Sequence, residues 1–328
     1  MNMDNRLSKV QRVLNRTWRT FKSDAHFSLY YALLRFLDDV CGRVKCTSLS
    51  DLFYRKRSVW LYNRLKRMLR KELSASYIQA NETSFDTKSA PIWICWWTGM
   101  ETAPELVKKC IESTMLNSGS HAVNFIDSTT ITKYFDIPTY ILNRHQNGQM
   151  LTAHFADYIR VCLLEKYGGI WIDATIYTSR LIDEDIFKYP FYTIKGKMKP
   201  SRYVSDYMWS TFIFAGHPHN SLYVYLKNAF ETYWKNESRA IDYLFFDYII
   251  RIAYDNIPAV KGLIDSVPYN NPHIDDLAAA MNASLPADQF SNVIEKNTLW
   301  YKISWRETYS LKTEAGTPSV YSYFLNET

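Results

Sequence analysis

Between His154 and Thr175 the chain sets out carboxylates, a guanidinium and a paired glycine in a pattern that can hold a hydroxylated, anionic ligand. Asp157 and Arg160 stand one helical turn apart and share a face. On that face Asp157 can accept hydrogen bonds from sugar or ribose hydroxyls, while Arg160 pairs with Asp157 and reaches a phosphate or sugar oxygen. Gly168-Gly169 stops the helix at its C-cap. Ile170-Trp171-Ile172-Asp173 reads as the following strand and brings Asp173 to its carboxyl end, where a carboxylate can meet a hydroxyl or a divalent cation. Each piece also has a plainer explanation: an Asp and an Arg one turn apart form an ordinary ion pair, and an Asp at a strand end is a common turn former. Their conjunction, with apolar residues filling the intervening positions, marks a candidate site.

Such residues need a scaffold, and the flanking pattern supplies one. Apolar runs at Ile92 to Trp97 and Ala122 to Ile126 read as strands. Ala103-Pro104 opens a helix carrying Leu106, Val107, Cys110 and Ile111, a polar helix with Ile131, Tyr134 and Phe135 follows the second run, and Leu151 to Tyr167 forms a longer helix. Alternating strands and helices imply an α/β domain around a mainly parallel mixed sheet, with ligands at the carboxyl ends of its strands. Trp97, Asp127 and Asp173 fall at such ends. Further on, His219 to Trp234 and Ala240 to Tyr254 read as helices and Leu299 to Trp305 as a last strand.

The whole chain has 328 residues, 47% hydrophobic and 22% charged, which excludes general disorder and leaves room for a large buried core. Aromatic residues make up 16%, a usage that fits stacking on rings or sugars, or a membrane surface. Five scattered cysteines with no C-x-x-C pair read as free thiols in a reducing compartment. Residues 1–75 hold 17 of the 39 Lys and Arg but only 6 of the 33 Asp and Glu, so the basic charge belongs to the N-terminus. There Leu7, Val10, Val13, Leu14, Trp18 and Phe21 recur at helical spacing among basic residues, and Arg55 to Lys71 repeats the design. Two such helices can lie on an anionic membrane surface, or pack on the following domain and expose solvated charge. No nucleic-acid motif accompanies them, so nucleic acid is not an expected partner. A secretory signal and a span of about 20 apolar residues are both missing. The expectation is a cytoplasmic protein attached peripherally to the inner face of the cell membrane. It divides into a basic helical extension (1–75), a linker (76–90) and one α/β domain (91–328).

The run Asp157-x-x-Arg160 to Gly168-Gly169-Ile170-Trp171-Ile172-Asp173-Ala174-Thr175 resembles the signature of glycosyltransferases with a D-x-D sugar-binding region, family 32 and its relatives. With Trp97, Gly99, Ala103, Pro104, Leu106, Val107, Cys110, Ile111 and Ser113, it is most similar to bacterial capsular polysaccharide synthesis proteins. The resemblance covers residues 90–180 well and 200–305 loosely, with no counterpart for 1–75. It implies a GT-A-like nucleotide-sugar-binding domain and a UDP-sugar donor transferred with retention of configuration. The implied acceptor is a lipid-linked or growing capsular saccharide. Asp157 and Arg160 match the pair that holds the donor sugar, Asp173 the first Asp of D-x-D, and Trp97 the ring that stacks on uracil. Asp127, Trp171, Thr175, Lys302, Ser304 and Trp305 complete the expected donor site, Lys302-Ile303-Ser304-Trp305 resembling a segment that closes over the diphosphate.

Thr175 departs from the pattern, because a full D-x-D places there the Asp that ligates Mn²⁺ or Mg²⁺, and a neutral hydroxyl is a poorer ligand for a hard cation. Three arrangements stay open. Asp173 alone can hold the metal with diphosphate and waters, which is the preferred one; Asp242, Asp247 or Glu307 can complete the shell; or cationic side chains can neutralise the diphosphate without metal. Asp242 and Asp247, read as lying on one helix, are the acceptor-side candidates, with Asp242 favoured. The alternative to an enzyme is a non-catalytic sugar-nucleotide-binding or membrane-scaffold component of a polysaccharide assembly complex.

Overall fold

Ser28 accepts a hydrogen bond from the Tyr31 amide and starts α1 (Leu29–Arg43). A short turn then feeds α2 (Thr47–Met68), which makes an antiparallel helical hairpin. The computed structural model describes residues 17–74, 85–197, 201–285 and 298–326. The expected basic helix around Leu7 to Phe21 therefore lies largely outside the described residues, as does most of the 76–90 linker; residues 17–25 are helical. α1 buries Tyr31, Ala32, Leu34 and Cys41, while Leu29, Leu33, Phe36 and Val40 stand exposed on its other side.

The body is built on β1 (Ile92–Cys95), α3 (Glu105–Leu116), β2 (Val123–Ile126), α4 (Thr139–Gln146), α5 (Thr152–Tyr167), β3 (Gly169–Ile172), β4 (Ile176–Thr178), β5 (Phe191–Thr193) and β6 (Ile213–Gly216). After these come α6 (Ser221–Asn236), α7 (Phe245–Asn256), α8 (Pro258–Ser266) and β7 (Trp300–Lys302). The central sheet has the order β2-β1-β3-β6-β5. β1 is parallel to β2 and β3, and β6 runs antiparallel to both of its neighbours, so the sheet is mixed and mostly parallel. β4 and β7 form a separate antiparallel ribbon in which Ile176 faces Lys302. Every residue of β3 is buried. α5 hides residues on most of its circumference, from His154 and Phe155 to Leu163 and Leu164, which makes it a core helix and not an amphipathic surface one.

Several expected elements shift, each for a local reason. The polar helix after β2 reduces to a single 3₁₀ turn, Ile131–Lys133, because the Asp127 carboxylate folds the chain over Thr129 and Thr130 and Pro138 then restarts it as α4. Expected to open at His219, α6 starts instead where Asn220 caps the Tyr223 amide. The helix expected from Ala240 begins only at Phe245. Before it, Ile241 donates its amide to the Tyr233 hydroxyl and Asp242 accepts from the Leu244 amide, so Asp242 sits in a turn and not on the helix with Asp247.

The turn from α5 to β3 has room only for glycine. Gly168 and Gly169 have φ of 65° and 87°, and a Cβ on Gly169 would lie 2.1 Å from the Pro91 carbonyl oxygen. That contact is what lets Ile170 donate its amide to Pro91 at 2.9 Å and align β3 with β1. A side chain at this φ costs about 1–3 kcal/mol before any overlap is counted. Gly169→Ala is expected to lower the melting temperature by more than about 5 °C. Gly262→Ala, inside α8 with nothing within 4 Å of its added Cβ, is expected to hold or raise it. Equal melting of the two variants in a circular-dichroism scan would contradict this account.

Candidate active site

The parallel strands β1, β2 and β3 end at one edge of the sheet and carry Trp97, Asp127 and Asp173 just beyond that edge, as the alternation of elements implies. Asp173 is the hub. Its Oδ1 accepts from Arg160 Nη2 and from the Trp171 indole, both at 2.9 Å. Its Oδ2 accepts from Lys302 Nζ at 3.1 Å, and the same ammonium donates to Thr175 Oγ1 at 2.8 Å. Arg160 Nη1 lies 3.1 Å from Asp157 Oδ1. The guanidinium is packed between the rings of Trp171 and Phe246, at 5.0 and 5.5 Å from their centres. α5, the end of β3 and β7 thus bring Asp157, Arg160, Asp173, Thr175 and Lys302 together.

Burial and charge set different protonation tendencies within this cluster. Burial raises every carboxylate in it. At Asp173 that push is outweighed by Lys302 and Arg160, which hold the acid below its ordinary range. At Asp157 burial wins over Arg160, and the Asp173 charge adds to it, so the group rises to about 7. Asp247 rises to about 6 through burial, with the Trp209 indole opposing and the Asp157 charge adding. An ionised carboxylate beside one that titrates near neutrality can both fix cations and exchange a hydrogen bond with a ligand hydroxyl.

The remaining expected residues divide. Trp171 is buried and its N–H is committed to Asp173, so it positions that carboxylate instead of facing a donor. Trp97 is half-buried and meets Phe155 edge-on at 4.7 Å, leaving part of the ring open at the strand end. Asp127 Oδ1 accepts from the Thr129 amide and hydroxyl and from the Thr130 amide; these bonds outweigh burial and lower its pKa, and they make it a turn former at the site's rim. Ser304 Oγ accepts from the Arg306 amide, shaping the turn after β7. Trp305 is exposed and packs edge-on against Trp96 at 5.7 Å, not against Trp97.

Asp242 is removed from the site by its partners. Tyr31 Oη donates to its Oδ2 at 2.8 Å, Arg57 Nη1 at 3.4 Å, and Arg35 lies 3.8 Å away. It is a buried anchor for the helical hairpin, and the acceptor-side expectation passes to Asp247, whose charge is coupled to Asp157 and Arg160. Sequence reasoning missed Trp96, whose buried indole N–H has no hydrogen-bond partner, and Phe212 and Phe246, whose rings flank Lys302 and Arg160. The Trp96-Trp97 doublet was visible, but neighbouring residues at a strand end face opposite ways, and only the fold shows which faces what.

The arrangement defines an α/β protein with a charged side-chain cluster at the carboxyl edge of a mixed sheet. Over residues 44–324 the chain matches the model of the capsular polysaccharide synthesis protein family, and it belongs to that family. It is also similar to the O-glycosyltransferase braB of Annulohypoxylon truncatum, 28% identical in an alignment 131 residues long that covers 37% of this chain and 30% of that relative. This chain therefore spans less than a third of the length of that relative. No solved structure matches the chain. The match begins before α2, which corrects the expectation that nothing ahead of residue 76 has a counterpart. Among the described residues no helix is long and apolar enough to cross a membrane.

Because Asp157 is raised in the folded chain, the native state holds its proton at pH values where the unfolded chain has lost it. This contribution to stability is complete near pH 4 and falls away as pH rises through about 7. Asp157→Asn has no such loss. Its melting temperature relative to wild type is expected to climb by a few degrees between pH 5 and pH 8; a difference independent of pH would remove the raised carboxyl from this account.

Proposed function

We propose that the protein is a glycosyltransferase that moves a sugar from a UDP-sugar, with retention of configuration, to a lipid-linked or growing capsular saccharide. The observation that carries this reading is the convergence of Asp157, Arg160, Asp173 and Lys302 in one charged cluster at the sheet edge, in a chain of the capsular polysaccharide synthesis family. In this reading the domain is GT-A-like. Trp97 stacks on uracil, Asp173 and Thr175 border the ribose and diphosphate, and Asp157 and Arg160 hold the sugar. Ser304 and Trp305 cover the donor, and Asp247 faces the acceptor. Transfer breaks the bond from the sugar C1 to the β-phosphate oxygen and forms one to the acceptor oxygen. The acceptor proton goes to the departing phosphate, so no separate general base is required. Positioning and fixed charge carry the rest.

Attachment to the inner membrane face belongs to the same reading. Leu29, Leu33, Phe36 and Val40 form an exposed apolar stripe along α1, and Leu52 and Val59 of α2 are exposed beside Arg55 and Lys56. Apolar insertion with flanking cations suits an anionic lipid surface, each cation near it contributing about 1 kcal/mol. Leu33→Glu with Phe36→Glu is expected to abolish co-sedimentation with phosphatidylglycerol vesicles while leaving melting unchanged. Equal binding of the variant, or equal wild-type binding to neutral phosphatidylcholine vesicles, would count against this surface.

The decisive test of the transferase reading is sugar release from a panel of UDP-sugars, with thermal shift by UDP as the binding readout. Asp173→Asn is expected to lower turnover by roughly 10²-fold or more. Full turnover in that variant would overturn the site assignment. UDP binding with no sugar release or transfer under any condition would favour the non-catalytic assembly component.

A further inference from the structure

Both oxygens of Asp173 are engaged by donors: Oδ1 by Arg160 and Trp171, Oδ2 by Lys302. Thr175 Oγ1, at the position of a second D-x-D carboxylate, is bonded to the same ammonium at 2.8 Å. A divalent cation binds carboxylate oxygens at about 2.0–2.6 Å, so one bridging these two residues would need the space and the lone pairs that Lys302 uses. Among the described residues, moreover, no group of three His, Cys, Asp or Glu side chains is placed to hold a metal ion. The residues therefore do not fit the Mn²⁺ or Mg²⁺ that the D-x-D resemblance implies. Backbone pairing fixes Lys302 in place: Ile176 and Lys302 are partners in the β4–β7 register, and the Ile303 amide donates to the Thr175 carbonyl at 3.0 Å.

We infer that Lys302, seated between Asp173 and Thr175 where a D-x-D site holds its metal, offsets the charge of the donor diphosphate together with Arg160, and that this site works without a divalent cation. The identity of the ligand rests on the transferase reading above. The diphosphate of a nucleotide sugar carries two negative charges; Lys302 and Arg160 bring two positive ones, one of which the ionised Asp173 already balances, so the pair offsets part of the diphosphate charge. An ammonium has three N–H donors. Two go to Asp173 and Thr175, and the side chain, 30% exposed, has one left for a phosphate oxygen. Arg160 Nε is buried without a hydrogen-bond partner, and Nη1, though 3.1 Å from Asp157 Oδ1, makes no aligned hydrogen bond, on a side chain only 5% exposed. These are donors that a ligand oxygen would satisfy. Thr175 then follows as a matched partner: a second carboxylate there would leave one lysine facing two anions, whereas a hydroxyl accepts from the ammonium and adds no charge.

Calorimetric titration of the full chain with UDP tests this. Affinity in excess EDTA is expected to stay within about twofold of that with Mn²⁺ or Mg²⁺. Lys302→Met should weaken UDP by roughly 10–100-fold and leave uridine binding unchanged, while Lys302→Arg keeps most of the UDP affinity. Thr175→Asp combined with Lys302→Ala is expected to bind UDP only when Mn²⁺ is present. A more than tenfold loss in EDTA for wild type, or unchanged UDP affinity in a folded Lys302→Met, overturns the inference. Should Lys302→Met fail to fold, the chelator comparison and Lys302→Arg still decide it. Absence of UDP binding with and without metal would instead overturn the transferase reading itself.

Discussion

An ionised carboxylate taken out of water must be paired, and Asp173 meets that demand by drawing on three parts of the chain. Arg160 comes from the central helix α5, Trp171 from the same strand two residues back, and Lys302 from the far end of the sequence. Removing either cation would leave a half-buried negative charge with too few donors, so the interaction dictates where β7 must dock as much as β7 dictates where Lys302 points. Arg160 is constrained in turn by the rings of Trp171 and Phe246, which hold its plane beside Asp157 while its Nε stays without a hydrogen-bond partner. Core packing and the polar cluster are therefore one structure: the side chains that fill the space beneath the sheet edge are those that orient its charges.

How much of this was legible in the sequence follows from distance along the chain. Asp157, Arg160, the glycine pair and Asp173 lie within one helix, one turn and one short strand, whose periods fix relative positions before any tertiary contact forms. Their mutual placement could be anticipated from spacing, as could the mostly parallel sheet. Lys302 is 129 residues from Asp173, and no periodicity connects them; the resemblance of its segment to a family ending pointed to a role at the diphosphate but not to its partners. Asp242 shows the opposite failure. In sequence it stands in an aromatic run of helical appearance beside Asp247, yet the Tyr233 hydroxyl and its own carboxylate turn the chain there. A tyrosine 211 residues away then claims the carboxylate. Local propensity favoured helix, and side-chain capping overrode it.

The structure also joins two parts that the sequence separates by composition. The basic hairpin and the acidic body meet through polar contacts in which each carboxylate serves several donors: Asp38 takes Ser50, Arg57 and Arg202, and Asp242 takes Tyr31 and Arg57. Arg57 belongs to both sets, so the two anchors act as one clamp, and Glu237 adds a third tie through Arg64. The exposed apolar stripe of α1 is thereby carried by a helix whose opposite side is held to the segment leading into α7.

That clamp bears on how such a protein can be cut or recombined. A shortened gene beginning at the sheet would strip Asp242 of Tyr31, Arg35 and Arg57, immediately ahead of the helix that bears Asp247. The hairpin is thus no interchangeable address label. A minimal fragment for expression has to retain it, and a chimaera that swaps it between relatives has to exchange Arg202, Glu237 and Asp242 along with it.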